Sequence, residues 1–183
     1  MGMHRIVIIG TSGSGKSTLG ETLAHRLGVT FVELDSLFWQ PGWTQVSTEV
    51  FRERVSRALA DESWVVMGNY SRARDLIWSR ADTLLWLDYS FPLVIWRLFR
   101  RTVRRIISQE ELWGGNHESF RKQFLSRDSL FIWVLQTHWR YRHELEEVLH
   151  QPEYTHLHVI RFKTPRETER WLETVEQTHE SRA

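Results

Sequence analysis

Apolar residues along this chain come in short unbroken runs separated by amphipathic stretches. "RIVII" (5–9), "WVVMG" (64–68) and "TLLWLD" (83–88) are nearly uninterrupted, the pattern of strands buried on both faces of a parallel sheet. "TFVELD" (30–35) predicts another strand, and "HLHVIRF" (156–162) alternates as an edge strand does. Residues 16–27 place Leu19, Leu23 and Leu27 on one helical face. Residues 46–60 put Val46, Val50, Phe51, Val55, Ala58 and Leu59 at helical spacing, and an arginine-rich helix over 92–107 has Pro92 in its first turn. A loop at about 109–117 leads into a long helical pattern ending near 149. The last helix starts with Thr164 as N-cap, Pro165 at the first position and Glu167 completing a capping box. Strands alternating with helices imply right-handed crossovers and a covered parallel sheet. The expected fold class is therefore α/β, three layers around a five-stranded parallel sheet.

Between the first strand and first helix stands "GTSGSGKST", residues 10–18. Glycines at 10, 13 and 15 let successive backbone N–H groups turn toward one anion, and the following helix adds its positive end. Gly10-x-x-x-x-Gly15-Lys16-Ser17 is a phosphate-binding loop in its required strand–helix context. Gly10, Ser12, Gly13, Ser14, Gly15, Lys16, Ser17 and Thr18 are the expected contacts to ATP, with the Lys16 ammonium on the β- and γ-phosphates and the Ser17 hydroxyl on Mg²⁺. The chain has three lysines, Lys16, Lys122 and Lys163, and uses arginine for nearly every other cation. A compact ammonium at this one position is what the loop needs.

At 183 residues and 41% hydrophobic content the chain suits one domain, 1–183, with a lid at about 105–118. A formal net charge of +1 argues against nucleic acid as the main partner. Zero cysteines exclude disulfides and thiolate metal sites, and with no leader-like start this suits a cytoplasmic location. No apolar run reaches membrane-spanning length. The nine histidines show no metal-ligand spacing. A monomer and a homodimer are both compatible with the sequence. GTPase base-reading motifs are missing, as is the Asp-Glu strand end of motor ATPases. What remains is a small phosphotransferase acting on a small-molecule acceptor.

"GTSGSGKSTLGETLAHRLG", "ELDSLFWQPGW", "WVVMGNYS" and "RADTLLWLD" together resemble the adenylate-kinase-related P-loop proteins of the DNA topology modulation type. The likeness covers residues 4 to about 105 and is weaker beyond. It implies a nucleoside-monophosphate-kinase-like fold with strand order 2-3-1-4-5, and ATP binding. Relatives carry an acid before Gly-Asn-Tyr where this chain has Met67, which shifts metal binding toward Asp35.

Asp35 ends the second strand, placed to hold a Mg²⁺-bound water or take a substrate proton; a helix N-cap is its other role. Glu33 shares its face. Trp39, Trp43 and Tyr70 are candidates to line an acceptor pocket, and Asn69 to bond the substrate or stabilise a turn. Arg97, Arg101 and Arg105 lie at i, i+4 and i+8 on one helix. Stacked like charges repel, so an anion is expected opposite them, and a closing lid would bring Arg97 and Arg101 to the transferring phosphoryl group. Pairing with Glu110 and Glu111 is the alternative. Arg127 is a candidate from the far side of the lid, and Asp88 a strand-end residue. Gly114-Gly115 gives the lid a hinge beside Trp113. An ATP-binding regulator that touches DNA and a toxin-type metabolite kinase are the competing functions.

Overall fold

The computed structural model describes residues 3–117 and 130–180, so Arg127 lies outside the described residues. Five strands form one parallel sheet: β1 (Arg5–Gly10), β2 (Thr30–Glu33), β3 (Trp64–Met67), β4 (Thr83–Leu87) and β5 (His158–Phe162). Their order across the sheet is β2-β3-β1-β4-β5, as predicted. Seven helices accompany them among the described residues: α1 (Lys16–Leu27), α2 (Leu34–Phe38), α3 (Thr48–Ala58), α4 (Arg74–Trp78), α5 (Phe91–Ser108), α6 (Leu130–Leu149) and α7 (Pro165–Glu180). None is long and apolar enough to cross a membrane.

Strand alternation sorts the apolar runs into two cores. Val7, Ile9, Trp64, Val66, Leu84 and Trp86 join Phe51 and Val55 of α3 and Leu145 of α6 on one face. Ile6, Ile8, Val65, Met67, Leu85 and Leu87 meet Leu19 and Leu23 of α1 and Val94 and Leu98 of α5 on the other. Period-2 side-chain alternation dictates this division. Unbroken apolar runs were needed because both faces are covered.

The helix ends follow local chemistry. Ser47 caps α3 by accepting from the Val50 N–H at 3.3 Å. Thr164 Oγ1 accepts from the Glu167 N–H, while the Glu167 carboxylate takes the N–H of Lys163, one residue before the expected partner. Asp35 is not an N-cap: it sits inside the first turn of α2.

The loop expected at 109–117 is a hairpin, pairing Glu111–Leu112 with Asn116–His117. A second hairpin, Trp39–Gln40 with Thr44–Gln45, lies in the segment after α2. Neither shows in the hydrophobic pattern, because two-residue strands are too short to establish a period.

Asp88, just past β4, is buried and receives Arg142 at 2.5 Å and Arg161 at 2.6 Å. Arg161 also lies over the Trp86 ring, 4.1 Å from its centroid. This carboxylate fastens α6 and β5 to the sheet and does not line the cleft described below. Losing the buried member of this cluster costs about 2 kcal/mol, below the fully buried case, because both arginines keep part of their solvent. Asp88→Ala is expected to lose about that much in urea denaturation while MgATP affinity stays within about twofold, a few tenths of a kcal/mol.

Candidate active site

The carboxyl ends of β1, β2 and β3 open into one cleft of about 1750 Å³, on the side where parallel sheets bind ligands. Residues 12–18 line it. Gly13 has φ +87°, and a Cβ there would stand 2.7 Å from the Val94 carbonyl oxygen. Only glycine lets the loop lie directly on α5, and that contact decides where the α5 arginines go. Arg97 donates to the Ser14 carbonyl at 3.4 Å, and Arg101 to the Ser12 hydroxyl at 3.1 Å. Both guanidinium groups are thus held on the loop by helix packing. Arg105, one turn further, bonds Glu110 at 3.2 Å, with Arg104 nearby at 3.6 Å. The expected arginine face is split: two members lie on the phosphate loop and one pairs with an acid.

Lys16 donates to the carbonyls of Gly10 at 2.9 Å and Thr11 at 3.2 Å. Burial lowers its pKa to about 8, with Arg101 adding to the shift and Asp35 and Glu33 opposing it. The Ser14 hydroxyl is buried with no hydrogen-bond partner among the described residues. A half-buried ammonium resting on carbonyls beside an orphaned hydroxyl suits an incoming polyanion such as a nucleotide's phosphates.

Asn69 was a substrate-binding candidate. Its Nδ2 donates to the Gly10 carbonyl at 2.6 Å and its Oδ1 accepts the Gly10 N–H at 3.2 Å. Both amide ends are engaged by one backbone residue, so this side chain shapes the loop from β3.

The two acids have separate partners. Ser17 Oγ donates to Glu33 Oε1 at 3.0 Å, and the Trp113 indole N–H donates to Glu33 Oε2 at 2.8 Å. Asp35 accepts the Tyr70 hydroxyl. Ser17, expected beside Asp35, is bonded to Glu33 instead. Burial raises the Glu33 carboxyl above its usual range, while Trp113 and Ser17 stabilise the charged form. Burial, then the Asp35 charge, raises Tyr70 strongly, so its phenol stays protonated. No cluster of three or more metal-binding side chains occurs among the described residues. One hydroxyl and one carboxylate are hard oxygen donors of the kind Mg²⁺ takes together with phosphate and water.

Trp39, Trp43, Tyr70 and Trp113 line the part of the cleft that holds Glu33 and Asp35, with Trp113 bonded to the first and Tyr70 to the second. Trp39 packs edge-on to Phe38 and Trp43 at 5.1 and 5.6 Å between centroids. Asn116, buried, escaped the sequence reading. Its Nδ2 donates to the carbonyls of Gln40 at 2.9 Å and Trp113 at 2.6 Å, and its Oδ1 accepts the Trp43 N–H at 2.9 Å. The one available signal was the likeness of "WQPGWTQ" to "ELWGGNH".

Two titrations test these electrostatics. A bound triphosphate would restore the charged form of Lys16, whose pKa is about 8 when free. MgATP binding slightly above that pH is expected to take up a proton, and to take up almost none through Lys16 at neutral pH. Calorimetry in buffers of different ionisation enthalpy reads the uptake. The Glu33 carboxylate is protonated as pH falls through a raised midpoint. Trp113→Phe deletes a donor to that form, so carbon-detected NMR should find the midpoint higher still; an unmoved midpoint would show that the indole bond carries no weight.

The chain matches the family described as Shikimate kinase over residues 12–169. It is 37% identical to "Shikimate kinase" of Prosthecochloris aestuarii over 90 residues, a match that covers 49% of this chain and 45% of that protein. The chain thus spans less than half the length of that relative. It is 30% identical over 128 residues to "Uncharacterized protein YqaC" of Bacillus subtilis, covering 69% of this chain and 71% of that one. A solved shikimate kinase from Bacteroides thetaiotaomicron shares the fold, with a TM-score of 0.55 at 19% identity over 98% of this chain and 99% of that one. A match running from inside the phosphate loop to the first turns of α7 places this chain in the shikimate kinase family.

Proposed function

We propose that this chain is an ATP-dependent kinase that transfers the γ-phosphoryl group to a hydroxyl of a small acceptor. The observation that carries the reading is Glu33 bonded to Ser17, which joins a phosphate loop to an end of the cleft lined by an acid and aromatic rings. In this reading the phosphates lie on the backbone of residues 10–17, with Lys16 exchanging its carbonyl partners for phosphate oxygens. Arg97 and Arg101 neutralise charge on the transferring group. Ser17 and Glu33 would hold Mg²⁺, which supplies charge neutralisation of the phosphates. Asp35, oriented by Tyr70, receives the acceptor's hydroxyl proton. The acceptor oxygen bonds the γ-phosphorus as the bond to the β–γ bridging oxygen breaks, and ADP leaves. Trp39, Trp43 and Tyr70 supply faces on which a ring can stack. The segment at about 105–118 acts as a lid over this end of a single domain.

The names of the relatives make shikimate the first acceptor to try. The narrower likeness to the topology modulation group rests on the "LDSLFWQPGW" and "GNYS" blocks and bears on the acceptor end. A DNA-binding regulator is the less favoured reading, because Arg97 and Arg101 are turned onto the phosphate loop. The test incubates the chain and MgATP with shikimate, other hydroxylated ring compounds and nucleoside monophosphates, following ADP release and product mass. One acceptor should give a product heavier by one phosphoryl group, and Lys16→Ala should abolish it. Asp35→Asn is expected to lower turnover about a hundredfold or more, the range of a lost general base, with MgATP affinity little changed. No phosphorylated product, together with tight DNA binding at physiological salt, would overturn the kinase reading.

A further inference from the structure

The two short hairpins have the same backbone shape. Gln40 and Leu112 enter their turns at φ −112° in both cases. Gly42 (φ 74°, ψ 19°) matches Gly114 (φ 69°, ψ 25°), and Trp43 (φ 59°) matches Gly115 (φ 73°). Thr44 and Asn116 both leave at φ −82°. They meet turn against turn. A Cβ on Gly114 would lie 2.8 Å from the Gln40 carbonyl carbon and 2.9 Å from the Pro41 nitrogen. Asn116 crosses the junction, binding Gln40 and Trp43 of one hairpin and Trp113 of the other. The Trp43 indole N–H donates back to the His117 carbonyl at 3.4 Å. Trp43 holds a left-handed conformation that is uncommon for a bulky residue and persists only where its surroundings over-determine it. Its backbone N–H and its indole N–H both end on the opposite hairpin.

We infer that Asn116 is a positioning residue: it latches the 111–117 hairpin onto the 39–45 hairpin, and through Trp113 it holds the Glu33 carboxylate beside Ser17. The route is continuous, from Asn116 to the Trp113 carbonyl, from the Trp113 indole to Glu33 Oε2, and from Glu33 Oε1 to the Ser17 hydroxyl. The wall of the acceptor end, Trp39 and Trp43 from one hairpin with Trp113 from the other, is then assembled only when the latch is made. This rests on the reading of the cleft as a kinase site.

The test uses the full chain and three single variants. Gly114→Ala and Gly115→Ala carry the same left-handed strain, but only Gly114 meets the other hairpin's backbone; around Gly115 the nearest atom is Glu111 Oε1 at 3.7 Å. Asn116→Asp keeps the acceptor for the Trp43 N–H and sets a carboxylate against two carbonyls. Amide exchange read by mass spectrometry should accelerate about tenfold or more over residues 39–45 in Gly114→Ala and Asn116→Asp, and stay at the wild-type rate in Gly115→Ala. Exchange over β1 and β3 should be unchanged in each, which shows that the fold is intact. With a non-hydrolysable ATP analogue bound, the Mg²⁺ concentration at half-saturation should rise at least fivefold in the same two variants. If one of them fails to fold, the other decides against Gly115→Ala. Equal behaviour of the two glycine variants, or Mg²⁺ half-saturation unchanged or lowered in Asn116→Asp, overturns the inference. Absence of analogue binding in the wild type counts against the kinase reading instead, and the exchange rates then decide the latch.

Discussion

Glu33 joins the two ends of the cleft. One oxygen takes the Ser17 hydroxyl at the start of α1, and the other takes the Trp113 indole from the far hairpin. A half-buried carboxylate held by two donors has little freedom to rotate. Its position therefore defines how the phosphate loop and the 111–117 hairpin stand to one another. It is the last residue of β2, so the sheet itself sets where that carboxylate begins. Catalysis by positioning needs this rigidity, because misplacement by an ångström is costly.

A second close contact fixes the cation side. With Gly13 pressed on Val94 and Leu98, α5 cannot shift without moving the loop. Helical periodicity then carries Arg97 and Arg101 over the loop and leaves Arg105 beyond its edge, beside Glu110. The mutual repulsion of stacked arginines is met locally by backbone carbonyl and hydroxyl oxygens and by one acid. A bound polyanion would meet guanidinium groups already in place, so little side-chain entropy remains to be lost on binding.

The sheet, its strand order and the phosphate loop were legible because each has a local signature: unbroken apolar runs, a glycine-lysine spacing and alternating element types. The acid pair was half legible. Glu33 and Asp35 were placed by strand position, but the sequence favoured Asp35 for the metal, and the Ser17 contact falls on Glu33. That preference depends on how β2 passes into α2, and one residue decides which carboxylate faces α1. Asn69, open between a substrate contact and a turn-stabilising role because it follows a strand, has both its amide atoms on Gly10. Asn116 was hidden for a different reason. Its partners Gln40 and Trp43 are distant in sequence, and beyond the faint likeness of the two turn segments nothing local reports that they touch.

Trp43 carries a further consequence. Its matched position in the other hairpin is Gly115, which holds the same backbone shape without steric cost. Relaxing Trp43 to glycine would ease the chain while removing an aromatic wall and a bond to His117. The torsional strain relieved by glycine would be set against the lost ring packing on Trp39, the lost bond to His117 and the greater freedom of glycine in the unfolded chain, so an easier turn at this position does not by itself make a more heat-resistant protein.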